Sequence, residues 1–344
     1  MMTSAQSPIL IVPYMWIGDF VRCHSAVRLL KEQYPDRPVD MLSSSLCAPL
    51  ADYMPGVRKA VVFDLPRGSI SLSRHRALAE RLRAEQYGQA VVMPRTWKSA
   101  LAPWLAGISL RTGFRGEMRF GLINDTRPGE RQLPRMIDRM GALSLPRGAT
   151  PPAQWPLPEI RVGADEIAKW RVANGLTHDK RRAVALAPGA VGAGKAWPVE
   201  HYAALARQLA DDGYAVWVLG GPNEIALAMQ IASVGGNAVR DLTGKDLRHA
   251  AVALAAADAA VANDSGLMHI AAAIGTPTVA IFGPSSPAHW APLNPLAAIL
   301  EPPGDELRQR ARIEGNTAVT HRRTADVTVQ SVADAVRAAL KKTN

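Results

Sequence analysis

Two cysteines, Cys23 and Cys47, are all that the 344 residues contain. That leaves no disulfide framework and no metal-ligand spacing, and it reads as reduced thiols in a cytosolic protein. No stretch reaches the roughly 18 uncharged apolar residues of a membrane span, and the first apolar run, Ile9 to Val12, is too short for a signal-peptide core. The chain is therefore expected to be soluble and cytoplasmic. Aromatic residues make up only 6% of it. No nucleic-acid motif appears, so nucleic acid is set aside as a partner. No Gly-x-Gly-x-x-Gly follows the first apolar run, which argues against a dinucleotide redox cofactor. Acidic residues are short in one half alone. Residues 1–150 hold 21 Lys+Arg against 12 Asp+Glu, whereas residues 151–344 hold 19 against 18. A one-sided positive field suits a polyanion or an anionic membrane surface.

What is present is an alternation. Apolar runs at Ile9 to Pro13, Val39 to Leu42, Ala60 to Phe63 and Ala90 to Met93 are separated by helix-period segments near 19–34, 71–86 and 97–105. Continuous apolar strands between helices mean a parallel sheet covered on both faces. The proline-dense stretch from Pro146 to Pro158 suits neither helix nor sheet interior and reads as a linker. Beyond it the alternation repeats: strands at 183–187, 215–219, 239–242, 259–262 and 278–282, with helices near 199–211, 223–233, 246–257 and 266–274. Two doubly wound α/β domains follow, residues 1–150 and 160–328, joined by a linker at 151–159. A last helix near 331–341 belongs to a tail at 329–344. Ligands in such sheets sit beyond the carboxyl ends of the strands, here with the cleft between the domains as the expected site.

Three segments at those ends carry chemistry. The run Asn263-Asp264-Ser265-Gly266 joins a buried-type strand to a helix, so free backbone N–H groups face outward as a seat for an anion, most often a phosphate. The loop Gly189 to Lys195 matches the first seven places of a P-loop, but Ala196 lacks the hydroxyl that would hold Mg²⁺ and Trp197-Pro198 interrupts the helix. A lysine carried toward a diphosphate without a metal remains sensible. Asp19, after the first strand, is either a first-turn helix carboxylate or a general base. Residues 95–135 gather Arg95, Lys98, Arg111, Arg115, Arg119, Arg127, Arg131 and Arg135 around Trp97, Trp104, Phe114 and Phe120. Arginine suits bidentate capture of carboxylate or phosphate, though part of this set reads as solvated surface.

Taken together, Trp16-Ile-Gly-Asp19, Lys98-Ser-Ala-Leu101, the long stretch Arg111 to Asp125, Pro188-Gly-Ala190 with Lys195-Ala-Trp-Pro198, Asn263 to His269, and Phe282 to Pro287 resemble the ADP-heptose:lipopolysaccharide heptosyltransferases of glycosyltransferase family nine. The resemblance covers most of the chain. It implies a GT-B fold, with the donor nucleotide on the C-terminal domain and the acceptor on the N-terminal one. The implied reaction transfers L-glycero-D-manno-heptose from the substrate ADP-heptose to the first heptose of the lipopolysaccharide inner core, with inversion and with no cofactor or metal. The acceptor would be heptosyl-Kdo2-lipid A at the cytoplasmic face of the inner membrane. Asp19 falls on the family's base and Lys195 on its diphosphate lysine. Gly189, Asp264, Ser265, Gly266 and His269 join Lys195 on the donor side; Arg95, Lys98, Arg111, Arg115 and Arg119 are the acceptor-side candidates. The final helix is expected to cross back to the first domain. Transfer to another core acceptor, a nucleotide-sugar epimerase, a P-loop NTPase and a non-catalytic nucleotide-binding module stay open.

Overall fold

The structure, a computed structural model, describes residues 6–64, 70–303 and 322–342. The chain divides into two compact units, Met1–Glu159 and Ile160–Asn344. Residues 304–321, which the sequence reading counts in the second domain, lie outside the described residues.

The first unit carries β1 (Ile9–Val12), β2 (Val39–Ser43), β3 (Val57–Val62), β4 (Gln89–Val92), β5 (Leu110–Phe114) and β6 (Asp125–Arg127). They pair in parallel in the order β3-β2-β1-β4-β5-β6. Every residue of β1 and β4 is buried, because helices cover both faces of the sheet's middle. The helices are α1 (Ile17–Arg22), α2 (His24–Gln33), α3 (Ala48–Ala51), α4 (Leu72–Ala84), α5 (Trp97–Leu105) and α6 (Met136–Ser144). The single helix expected over 19–34 is thus two, parted at Cys23. Strands β5 and β6 and helix α6 had no counterpart in the sequence reading. Their arginines and Asp125 break the continuous apolar run by which a buried strand is recognised.

The proline-dense stretch is no free tether. Trp155 is buried, donates from Nε1 to Asp138 Oδ1 at 2.8 Å, and lies so close to α6 that a Cβ on Gly141 would meet its ring at 2.4 Å. Further along, the Glu159 N–H donates to His24 Nδ1 at 2.9 Å. The stretch is bound down along the first unit nearly to its end.

In the second unit α7 (Ala164–Ala173) precedes β7 (Ala183–Ala187), α8 (Val199–Asp211), β8 (Ala215–Val218), α9 (Ile225–Gly235), β9 (Val239–Asp241), α10 (Leu247–Ala256), β10 (Ala259–Asn263), α11 (Gly266–Ile274), β11 (Thr278–Ile281), α12 (Pro287–Trp290), β12 (Ala298–Leu300) and α13 (Val329–Lys341). The sheet order, β12-β11-β10-β7-β8-β9, repeats that of the first unit. Helix α13 buries Val332, Ala333, Val336 and Leu340 in the second unit's own core, with Leu205, Leu209, Val216, Val279 and Ile281. A helix has one apolar stripe, and this one is used where it stands.

Both sheets reverse direction at one place, between β1 and β4 in the first and between β7 and β10 in the second. At such a switch point neighbouring crossovers leave on opposite faces, so the loops at the carboxyl ends part and leave a crevice. The loops after β1, β4, β7 and β10 are therefore where function is expected.

Candidate active site

In the second unit the anion seat forms at the end of β10. Ser265 is the extended N-cap of α11 (φ −146°, ψ 173°), and no side chain caps the helix. The helix start thus keeps its N–H donors and its positive dipole end for something other than a side chain of this protein. The Ser265 hydroxyl is buried and has no hydrogen-bond partner in the protein. Gly266 opens the helix, and His269 follows it, buried in the next turn.

The loop after β7 brings Lys195 to this seat. Its Nζ donates to Asp264 Oδ2 at 2.6 Å; the carboxylate is buried and the lysine is partly exposed. An ammonium has three donors, so Asp264 can hold it and leave two for a ligand. The loop is fixed by Asn263, whose Nδ2 donates to the Pro188 carbonyl at 2.7 Å and whose Oδ1 accepts from the Trp197 N–H at 3.0 Å and the Tyr202 hydroxyl at 3.2 Å. Trp197-Pro198, which spoils the P-loop pattern, is thereby the anchor: the indole Nε1 donates to the Val327 carbonyl at 2.9 Å. Gly192 and Gly194 both have positive φ, +118° and +73°, so the loop bends as L side chains rarely allow.

Sequence reasoning missed several groups at this edge. Glu224 accepts the Gly221 N–H at 2.7 Å and crowds Gly189, where a Cβ would meet Glu224 Oε1 at 2.8 Å. Its carboxylate is suited to accept from hydroxyl groups of a ligand on that side. The signal was Gly220-Gly221 after a strand. Thr324 holds the loop from the far end of the chain, its hydroxyl donating to the Ala196 carbonyl at 2.7 Å. The Ser285 hydroxyl, after β11, is a second buried one without a partner.

In the first unit Asp19 stands in the first turn of α1, immediately beyond β1. It is buried and paired with Arg22, Oδ1 to Nη1 at 3.2 Å, and both side chains are almost fully enclosed. The guanidinium offsets part of the burial cost of the carboxylate and fixes its orientation. Tyr14 is close by; burial first, then the charge of Glu130, pushes its hydroxyl up to about 12. Arg95, after β4, pairs with Glu130 at 3.2 Å and is otherwise exposed. Lys98 lies in the first turn of α5 at the same edge.

The remaining acceptor-side candidates divide. Arg115, just past β5, is exposed, and with Arg119 and Phe120 it borders a cavity of about 340 Å³. Arg119 is buried and structural: it donates to the Pro94 carbonyl at 2.7 Å and to that of Phe114. Arg111 is not brought to this edge at all. It lies at the amino end of β5, opposite Ala90, and its guanidinium serves the carbonyls of Ile108, Gly121 and Leu122. Among the described residues no group of three or more His, Cys, Asp or Glu is placed to hold a metal ion.

Comparison with known proteins fits this geometry. The model of glycosyltransferase family 9 (heptosyltransferase) matches residues 75–314. The chain is 38% identical over 307 residues to lipopolysaccharide heptosyltransferase 2 of Escherichia coli K12, covering 85% of this chain and 87% of that one. It is 38% identical over 306 residues to lipooligosaccharide heptosyltransferase 2 of Haemophilus ducreyi, covering 85% and 88%. The solved structure of E. coli ADP-heptose LPS heptosyltransferase II superposes with a TM-score of 0.85 at 33% identity, over 98% of this chain and 99% of that one. Two doubly wound sheets in one chain are the GT-B architecture of these relatives.

Proposed function

This chain belongs to glycosyltransferase family 9, the heptosyltransferases, and from that premise we propose that it moves L-glycero-D-manno-heptose from ADP-heptose onto the first heptose of the lipopolysaccharide inner core. The chain is 38% identical, over 85% of its length, to two relatives named heptosyltransferase 2, and a heptosyltransferase II that it resembles in structure is described with ADP-heptose. The observation that carries the donor side is the convergence of Lys195, Asp264 and the uncapped start of α11 at one switch point.

The proposed step is a single in-line displacement with inversion. Asp19 takes the proton of the acceptor hydroxyl as its oxygen forms a bond to the anomeric carbon, and the bond from that carbon to the diphosphate oxygen breaks. ADP leaves with the electron pair. Its developing charge meets the Lys195 ammonium and the N–H groups at Ser265 and Gly266, which are oriented before the reaction begins. Asp264 positions Lys195, and the Ser265 hydroxyl donates to a phosphate oxygen. Because a fixed ammonium and a helix start supply the positive charge, the reaction is proposed to need no metal. Arg95, Lys98 and Arg115, at the carboxyl edge of the basic first unit, receive the acceptor's carboxylates and phosphates. The enzyme acts at the cytoplasmic face of the inner membrane, where that acceptor is held.

The test is product analysis with ADP-heptose and defined truncated lipopolysaccharides. A two-heptose product formed only from a one-heptose acceptor, with a rate unchanged by EDTA, is the expected result. Transfer to an acceptor without heptose would overturn the assignment.

A further inference from the structure

Resting on the reading that the acceptor is an amphiphile held in a bilayer, we propose that the loop from Arg115 to Gly121 is the membrane-contacting element of this enzyme, with Met118 and Phe120 entering the interface of an anionic bilayer. These two side chains are 86% and 84% exposed, more than any other large hydrophobic residue among the described residues. Single exposed apolar side chains are ordinary; two at the tip of one built loop are not.

The loop is held from within. The Glu117 N–H donates to the Arg95 carbonyl at 3.1 Å, and Gly116 packs so tightly on that carbonyl that a Cβ would come within 2.1 Å of it. Arg119, between the two exposed residues, turns inward and ties the loop to the ends of β4 and β5 through the carbonyls of Pro94 and Phe114. Its own carbonyl accepts from the Leu122 N–H at 3.1 Å. With residue 119 anchored inside, residues 118 and 120 are displayed outward at little further cost in chain entropy.

Charge names the partner. The loop lies in the half of the chain whose basic residues outnumber the acidic ones by 21 to 12. Arg115 is exposed on the loop itself, and Arg95, paired with Glu130 at 3.2 Å yet 57% exposed in its side chain, stands at the end of the neighbouring strand; the exposed Glu117 opposes them. Met15 and Trp16, after β1 on the same edge, are exposed as well. Apolar tips among basic side chains match a surface of apolar chains beneath anionic head groups.

The experiment is co-sedimentation of the full chain with phosphatidylethanolamine/phosphatidylglycerol vesicles, wild type against Met118→Ser/Phe120→Ser. The double variant is expected to bind vesicles roughly tenfold more weakly while keeping its thermal unfolding midpoint and its rate on a delipidated oligosaccharide acceptor. Unchanged vesicle binding would overturn the proposal. So would loss of a wild-type dimer in the variant, which would make the loop a self-interface, or an equal loss of rate on the delipidated acceptor, which would make it part of the sugar site. Failure of the wild type to transfer heptose at all would count against the proposed function and leave the vesicle result to be scored by itself.

Discussion

Asp19 and Lys195 are each paired with an oppositely charged neighbour, but the two pairs differ in exposure. Arg22 and Asp19 are both enclosed, so the guanidinium orients the carboxylate proposed as the base. Asp19→Asn keeps the shape and removes the base. It is expected to lower kcat by about 10²–10⁴-fold, with ADP affinity by calorimetry unchanged; near-normal turnover would remove Asp19 from the mechanism. Lys195 is a donor poised on Asp264 at the anion seat. Lys195→Ala is expected to lower kcat/KM for ADP-heptose by roughly 10²–10³-fold, and because Asp264 then lacks its partner, the loss should not add to that of Asp264→Ala. Additive losses in the double variant would mean that the two residues act separately.

At the scale of elements, the Trp155 segment and helix α6 meet through Asp138, which accepts from Trp155 Nε1 and from the Arg135 N–H and guanidinium. Burial alone would raise the Asp138 carboxyl, but the Arg135 bonds, its charge and the Trp155 bond outweigh it and hold the group below its ordinary 3.8. The unfolded chain therefore binds this proton more readily. The stability contributed is complete above the ordinary value and is lost as pH falls through it toward the lowered one. Asp138→Asn is expected to cost about 1–2 kcal/mol at pH 7, since the half-exposed Arg135 loses little on becoming unpaired. In urea unfolding the gap from wild type should narrow at pH 3; a gap independent of pH would contradict it. Elements were legible in the sequence to the extent that they were buried on both faces. The runs that became β1, β7 and β10 are apolar, and the residues beyond them, Asp19, Lys195 and Asp264, could be placed at the carboxyl edge. Arg111 and Arg115 could not be told apart. Arg111 lies near the amino end of β5 and Arg115 just past its carboxyl end, and Arg111, Thr112 and Gly113 break the apolar run that would have marked the strand. Nor could side-chain pairing be foreseen: that Asp264 would hold Lys195, or Arg119 serve two carbonyls, depends on contacts across elements.

For the whole molecule, the repeated strand order makes two similar frameworks, and the excess of basic residues lies in the first. If that field serves to collect an anionic acceptor from a membrane, its contribution must be screened by salt, since the Debye length falls to about 10 Å at 0.1 M. A donor bound through close contacts at Lys195 and the start of α11 is screened far less. Raising NaCl from about 0.05 to 0.2 M should therefore raise the KM for acceptor embedded in anionic vesicles several-fold, while kcat and the KM for ADP-heptose stay nearly constant. Initial rates against each substrate in turn separate the two. A delipidated acceptor, still anionic but no longer at a charged surface, should show a weaker dependence than the embedded one. Equal salt sensitivity for both acceptors would mean that the basic half recognises the sugar's own charges and that the bilayer contributes no attraction.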